Sequence, residues 1–428
     1  MRRRTTAAVV AVCAILASLA LFGLFAGPSG QLTSEWVSDT PRQNSVNHHA
    51  VGVGPAGDVI LAPVAEVPRD EVTMTRTSCS LVQLRPSDGA TLWQTEMPPE
   101  DCVTHALTEP AIADIDGDKR LEALISTTED ALIAYETDTG DEQWRVTLDT
   151  YGYGRPTVAD LPLGPGPEVI TSDISGGVVA VHGNGTVAWR RSLNETGWER
   201  TAVWQAPTVD DFDADGTPEI LVGSNSGPVL LSATGDIEWK REGGATYTAA
   251  ARVDDDPEVE LFTADSGGIR AYDGRTGALD WEREFTDARI RTATDGDGDG
   301  TVELYVGRLG GEVVALDART GETEWRTTVV DSDDTTVAPP VLGDVNGDGT
   351  PEVVVTLNDG TVAVLGSKTG SQLALYERPV PVWTFPTLAD IDDDGAAEIL
   401  TRYGDGRVVA LSYAEREGPL RLSFGQAH

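Results

Sequence analysis

Lysine is nearly missing from this chain. Of 428 residues only Lys119, Lys240 and Lys368 are lysines, and lysine plus arginine number 31 against 70 acidic residues, for a net charge of −39. A surface so negative repels polyphosphate, which argues against nucleic acid as a partner. At low ionic strength it also repels itself, whereas near 1 M salt the Debye length shrinks to roughly 3 Å. The composition therefore points to a high-salt organism, with a halophilic archaeon as the expected source. Cysteine is scarce too: Cys13 sits in an apolar run, leaving Cys79 and Cys102 as a candidate disulfide, with two isolated buried thiols as the alternative. No segment after residue 30 sustains a 3.6-residue apolar period, which argues against helical solenoids.

What the chain does have is one acidic phrase, written five times. Asp114-Ile-Asp116-Gly-Asp118-Lys-Arg-Leu-Glu122 is the first. Its counterparts carry Asp211, Asp213, Asp215 and Glu219; Asp295, Asp297, Asp299 and Glu303; Asp344, Asn346, Asp348 and Glu352; and Asp390, Asp392, Asp394 and Glu398. Oxygen side chains at positions 1, 3 and 5, usually a Gly at 6, and a Glu at 9 suit a hard cation such as Ca²⁺, which takes about six to eight oxygens in flexible geometry. An EF-hand would set its bidentate Glu at position 12 between helices. Here the Glu leads straight into strand-like text, as in Glu219-Ile-Leu-Val-Gly. Up to five calcium ions are expected, in repeat units 2, 4, 6, 7 and 8. Unit 3 (Asp160 to Glu168) has lost its central carboxylates, unit 5 reads as a shortened Asp254-Asp-Asp-Pro-Glu258, and unit 1 has no such loop.

The first acids of the units, at 114, 160, 211, 254, 295, 344 and 390, mark a period of about 45 residues. A Gly-x-x-x-Trp marker keeps time with them at Trp93, Trp144, Trp189, Trp239, Trp281 and Trp325. Four short β-like runs with Gly-rich turns per unit predict propeller blades. Eight units can be drawn: 50–102, 103–151, 152–199, 200–245, 246–288, 289–336, 337–382 and 383–424. The expected fold is an all-β, eight-bladed β-propeller with four-stranded antiparallel blades, seven blades being the alternative. Either Gly418-Pro-Leu-Arg-Leu422 or the segment around Trp36 supplies the last outer strand and removes the open edge.

Both markers resemble known repeats. The Asp-x-Asp-x-Asp-Gly-x-x-Glu blades resemble the FG-GAP and VCBS repeats of integrin-type propellers. The Thr-Gly-x-x-x-Trp endings (Thr139-Gly140, Thr234-Gly235, Thr276-Gly277, Thr320-Gly321) resemble the PQQ-like repeat of quinoprotein propellers. The resemblance covers roughly residues 50 to 424 and implies that the six Trp residues dock neighbouring blades. Fold is implied far more strongly than function. The quinoprotein dehydrogenases usually carry a vicinal cysteine pair beside their cofactor; this chain has no adjacent cysteines, so neither PQQ nor quinone-dependent dehydrogenase activity is expected.

Residues 1–30 read as a signal anchor or signal peptide ahead of a propeller domain at 31–428. Arg2-Arg3-Arg4 precedes an uncharged apolar stretch from Ala7 to Gly27, long enough to span a bilayer as a helix. Positive charge ahead of it predicts an inside N-terminus and an outside propeller. Signal cleavage followed by secretion is the alternative, Ala17-x-x-Ala20 offering small residues for it.

Three tempting motifs dissolve in context. Gly52-Val-Gly54-Pro-Ala-Gly57 spells a dinucleotide fingerprint but runs into a strand rather than a helix. Asp265-Ser266-Gly-Gly is a repeat turn matched by Ile174-Ser175-Gly-Gly, and His48-His49 has no third metal ligand nearby. A fourth pattern persists. Seven residues before the first acid stand Leu107, Tyr153, Trp204, Tyr247, Ala288, Val337 and Trp383, four of seven aromatic in a chain that is 6% aromatic. Either these rings pack beneath the blade connections, or Tyr153, Trp204, Tyr247 and Trp383 line a recognition mouth opposite the metal loops. The stretch from Glu66 to Ser78 is placed over the same face.

The functional expectation is a membrane-anchored, externally exposed, calcium-stabilised propeller that binds a surface protein or glycan without transforming it. An extracellular polysaccharide-degrading lyase or hydrolase on the same scaffold is the alternative.

Overall fold

Runs such as Glu219–Gly223 and Glu352–Thr356 are buried at every residue. Only a strand with packed neighbours on both faces satisfies that pattern. In the computed structural model, which describes residues 30–39, 49–66, 78–97, 102, 106–198, 201–254 and 256–416, these runs are the second strands of eight four-stranded antiparallel sheets. Blade 4 is representative: Thr208–Asp210, Glu219–Gly223, Pro228–Leu231 and Ile237–Lys240 pair in chain order. The two middle strands carry the apolar core, while outer strands alternate, as in Leu279–Glu284. The number of blades is eight, not seven.

The ring closes through the chain start. Gly30–Val37 forms the outer strand of blade 8, with Gly30 opposite Glu415 and Val37 opposite Val409. That strand begins at Gly30, the last residue assigned above to the anchor segment. Gly418–Leu422, the other candidate, lies outside the described residues, as do Ala7–Gly27 with Cys13, residues 67–77 of the overhang, and His48. Among the described residues the only helix is the short 3₁₀ turn Leu193–Thr196, and none is long and apolar enough to cross a membrane. Cys79 and Cys102 form a disulfide with Cα atoms 5.6 Å apart, tying the third strand of blade 1 to the chain that leaves it for blade 2.

Each Trp of the Gly-x-x-x-Trp marker docks on the next blade. Its indole N–H donates to a backbone carbonyl there, from 2.6 Å for Trp325 to Ser367 to 3.0 Å for Trp281 to Ala318. Trp36 does the same from the closing strand, donating to Pro86 at 2.6 Å. A register shift beside the Trp recurs in these outer strands: Ala180 faces Trp189 but Val181 faces Val187. Such a bulge increases local twist and re-aims the ring at its neighbour. The ring lies against the Gly of the next blade's turn, so a Cβ on Gly140 (φ 75°) would stand 2.7 Å from Trp93. Blade 7 breaks the rule with Ala374, opposite Val364 where Trp325 faces Ala315 in blade 6. Blade 8 takes its outer strand from the far end of the chain, so it has no Gly turn between its third and fourth strands on which a Trp could dock.

Candidate functional site

In blades 2, 4, 6, 7 and 8 the short inner strand ends in an acidic loop, and the loop ends in a buried Glu that opens the second strand. Glu122, Glu219, Glu303, Glu352 and Glu398 all accept the backbone N–H of the loop's second residue at 2.9–3.1 Å. The first Asp closes the turn from within: Asp295 accepts the N–H groups of Gly298 and Gly300 at 2.8 and 3.0 Å. Carboxylates are thereby gathered in one place. Asp295, Asp297, Asp299 and Glu303 each bring an oxygen within 4.8 Å of the others, as do Asp114, Asp116 and Glu122; Asp211, Asp213 and Glu219; and Asp390, Asp392 and Glu398. Oxygens about 2.3–2.6 Å from a shared Ca²⁺ fit this spacing. Asp118, Asp215 and Asp394 stand outside these clusters; Asp118 pairs with Arg120 at 2.7 Å instead. Asp344 closes the blade 7 turn by accepting the N–H of Gly347 and Gly349, Asp348 accepts the N–H of Thr350, and the Asn346 amide donates to Glu352 at 2.6 Å.

These glutamates sit where charge is costly. Burial pushes Glu219, Glu303, Glu352 and Glu398 up to about 7; the accepted N–H offsets part of the rise, and neighbouring loop acids add to it. Glu122 moves in the same direction for the same leading reason. Oε1 of Glu303 and Oδ1 of Asp390 are buried without a hydrogen-bond partner. A cation would satisfy both atoms, so the residues fit Ca²⁺.

Blade 5 corrects the register read from the sequence. Val253 N–H donates to Glu260 at 3.0 Å across the same seven residues as in the other loops. The first loop position is therefore Arg252, and Glu260, not Glu258, opens the strand. Asp254, Asp256 and Glu260 gather into a further cluster where no metal was expected. The likeness of Glu260-Leu-Phe-Thr-Ala to Glu219-Ile-Leu-Val-Gly was the available signal. In blade 3, where the central carboxylates are gone, His182 Nδ1 lies 2.9 Å from Oε1 of the buried Glu168.

At the opposite ends of the inner strands, all eight blades contribute to one axial mouth of about 320 Å³, from His49 in blade 1 to Trp383 in blade 8. Tyr153, Trp204, Tyr247 and Trp383 all line it, and Trp204 and Trp383 remain 37% and 52% exposed. Tyr153 meets Trp204 edge-to-face at 5.2 Å and His49 at 4.7 Å. Leu107, Ala288 and Val337 are buried. With blade 5 in its true register, the matching residue is Ala245; Tyr247 reaches the mouth because that inner strand, Tyr247–Ala251, starts early. Unforeseen in the sequence are Arg155, Arg289 and Arg291, which line the mouth beside the lone carboxylate of Glu109 among the described lining residues. No cysteine is among its described lining residues.

The sequence matches the family model described as outer membrane protein assembly factor BamB over residues 80–194 and 129–303, just over half of the chain. An FG-GAP-like repeat model matches residues 295–355, spanning the loops of blades 6 and 7. No curated protein matches the sequence. Among solved structures, BamB from Moraxella catarrhalis is 20% identical with a TM-score of 0.57, covering 93% of this chain and 99% of that one. The quinohemoprotein alcohol dehydrogenase ADHIIG from Pseudomonas putida HK5 is 13% identical with a TM-score of 0.63, over 94% of this chain and 78% of that one. Saccharomyces cerevisiae Sqt1 is 10% identical with a TM-score of 0.65, over 89% and 99%. At such identities the likeness to these structures concerns the fold.

Proposed function

Since the chain belongs to the family described as outer membrane protein assembly factor BamB, we propose that it is a non-catalytic binding or scaffold propeller, stabilised by calcium, whose aromatic mouth captures a surface protein or glycan. The observation that carries this reading is the convergence of eight blades on one mouth with two indoles left exposed. Large exposed aromatic rings beside a concave, partly polar wall are what recognition sites use. A hydrolase of polysaccharide would call for two carboxylates flanking the bond to be broken. The mouth offers Glu109, flanked by two arginines, among its described residues.

Calcium in the acidic loops is the proposed source of rigidity at the opposite face, supported by the gathered carboxylates and the FG-GAP-like match. Attachment to a membrane through residues 7–27, with the propeller outside the cell, is the proposed location. The Cys79–Cys102 disulfide supports an oxidising compartment. The charge of −39 supports a high-salt setting, a halophilic archaeon being the proposed source. The reading is tested by pull-down from surface extracts in Ca²⁺ with the wild type and the Trp204→Ala/Trp383→Ala variant. A protein or glycan retained by the first and lost by the second is the expected result, and equal retention would overturn it.

A further inference from the structure

The mouth concentrates positive charge in a chain whose net charge is −39. Arg155, from blade 3, and Arg291, from blade 6, approach the same atom, Oε1 of Glu109, at 3.6 and 3.8 Å. Both distances exceed hydrogen-bond length, and neither guanidinium donates a hydrogen bond to any described residue. Each carries five N–H donors in a rigid fork that matches a carboxylate. Arg291 is also held in place, its guanidinium carbon 3.9 Å from the ring centre of Phe385. Burial lowers its proton affinity; Glu109 opposes that and Arg155 adds to it. The third arginine, Arg289, pairs with Asp287 at 3.1 Å while its Nε stays buried without a partner.

We propose that the mouth binds a carboxylate-bearing saccharide ring, of the uronic-acid type, with the acid group on Arg155 and Arg291 and the ring against Trp204 and Trp383. This rests on the reading of the mouth as a recognition site and names its ligand. The acid completes hydrogen bonds that Glu109 leaves unmade, and charge-assisted pairs to guanidinium are the strong ones. The exposed indoles supply flat apolar faces for the ring. A volume of about 320 Å³ holds a ring with its substituents rather than an extended peptide. A protein with so negative a surface repels anions at long range, so a local guanidinium pair is what lets it select one.

The test is calorimetric titration of the full chain in Ca²⁺ with oligogalacturonate, with the same oligosaccharide methyl-esterified at its carboxyls, and with oligoglutamate. The acid form is expected to bind about tenfold or more tighter than the ester. Arg155→Gln and Arg291→Gln should each weaken the acid form by a similar factor and so narrow the gap between acid and ester. Arg291→Lys, which keeps the charge without the fork, should fall between them. Equal binding of acid and ester, or unaltered binding by the Gln variants, would overturn the proposal. So would tighter binding of oligoglutamate. If Trp204→Ala then still abolishes partner capture, the mouth remains a recognition site and only its acid ligand is refuted. If neither the Arg nor the Trp variants alter capture, the recognition reading fails as well.

Discussion

His182 and Glu168 stand 2.9 Å apart in the one acid-loop blade whose loop lacks central carboxylates. Blades 2, 4, 5, 6 and 8 gather carboxylates around the equivalent Glu, whereas blade 3 supplies an imidazole. A side chain thus occupies the place proposed for a cation elsewhere. His182→Ala leaves a fully buried carboxylate oxygen without its partner and should cost about 1–3 kcal/mol. Adding Glu168→Gln should recover part of that loss, as measured by denaturant unfolding. A His182→Ala variant as stable as wild type would remove this role.

Calcium and pH are linked through the raised glutamates. With Ca²⁺ chelated, Glu219, Glu303, Glu352 and Glu398 hold protons up to about pH 7 in the folded state, well above the usual carboxylate range. A folded state that binds more protons than the unfolded one loses stability as pH rises through that window. The chelated protein should therefore melt lower at pH 8 than at pH 5. Calcium, which binds the deprotonated form, should raise the melting temperature most at pH 8. Thermal melts at both pH values, with and without chelator, check this; a calcium shift no larger at pH 8 would contradict it.

Trp239 and Ala374 hold equivalent outer-strand positions, and opposite substitutions at the two should both destabilise. Trp239 is 8% exposed and donates to Gly274 at 2.8 Å, so Trp239→Ala should cost about 3–5 kcal/mol. Ala374→Trp meets a seam with no Gly turn to receive it and should destabilise by about 1–3 kcal/mol through overpacking. Urea unfolding of both variants measures the two effects.

Salt should stabilise the fold. Most of the 70 acidic residues lie outside the five acidic loops, and raising NaCl from about 0.1 M to about 1 M shortens the Debye length from roughly 10 to 3 Å. A calcium-saturated protein should melt higher in molar NaCl, and an unchanged melting temperature would show that self-repulsion is not limiting.

Blade number, strand count, Trp docking and five acidic loops were legible because each repeats, and repetition turns a weak local pattern into a register. Legibility failed where a single unit departs from the pattern. In blade 5, Asp254 resembles a first acid, yet the buried Glu260 and its bond to Val253 set the register from the strand side. Trp36 was readable as a closing strand only as one of two choices, since pairing of residues 30–37 with 408–415 leaves no local trace. The arginine pair was invisible for a related reason. Glu109, Arg155 and Arg291 come from three blades and meet only on the axis; Glu109 and Arg155 share one offset in their repeats, but the residue there changes from blade to blade, so no periodic signal marks the pair.

The mouth as a recognition site is tested most directly by comparing two pairs of variants for both stability and capture. Trp204→Ala/Trp383→Ala removes exposed rings, and should cost little stability while abolishing retention of partners from surface extracts in Ca²⁺. Trp239→Ala, at a blade seam, should lower stability while a folded fraction still captures. Full capture by the Trp204→Ala/Trp383→Ala protein, with its melting temperature unchanged, would contradict the mouth as the place where this propeller binds.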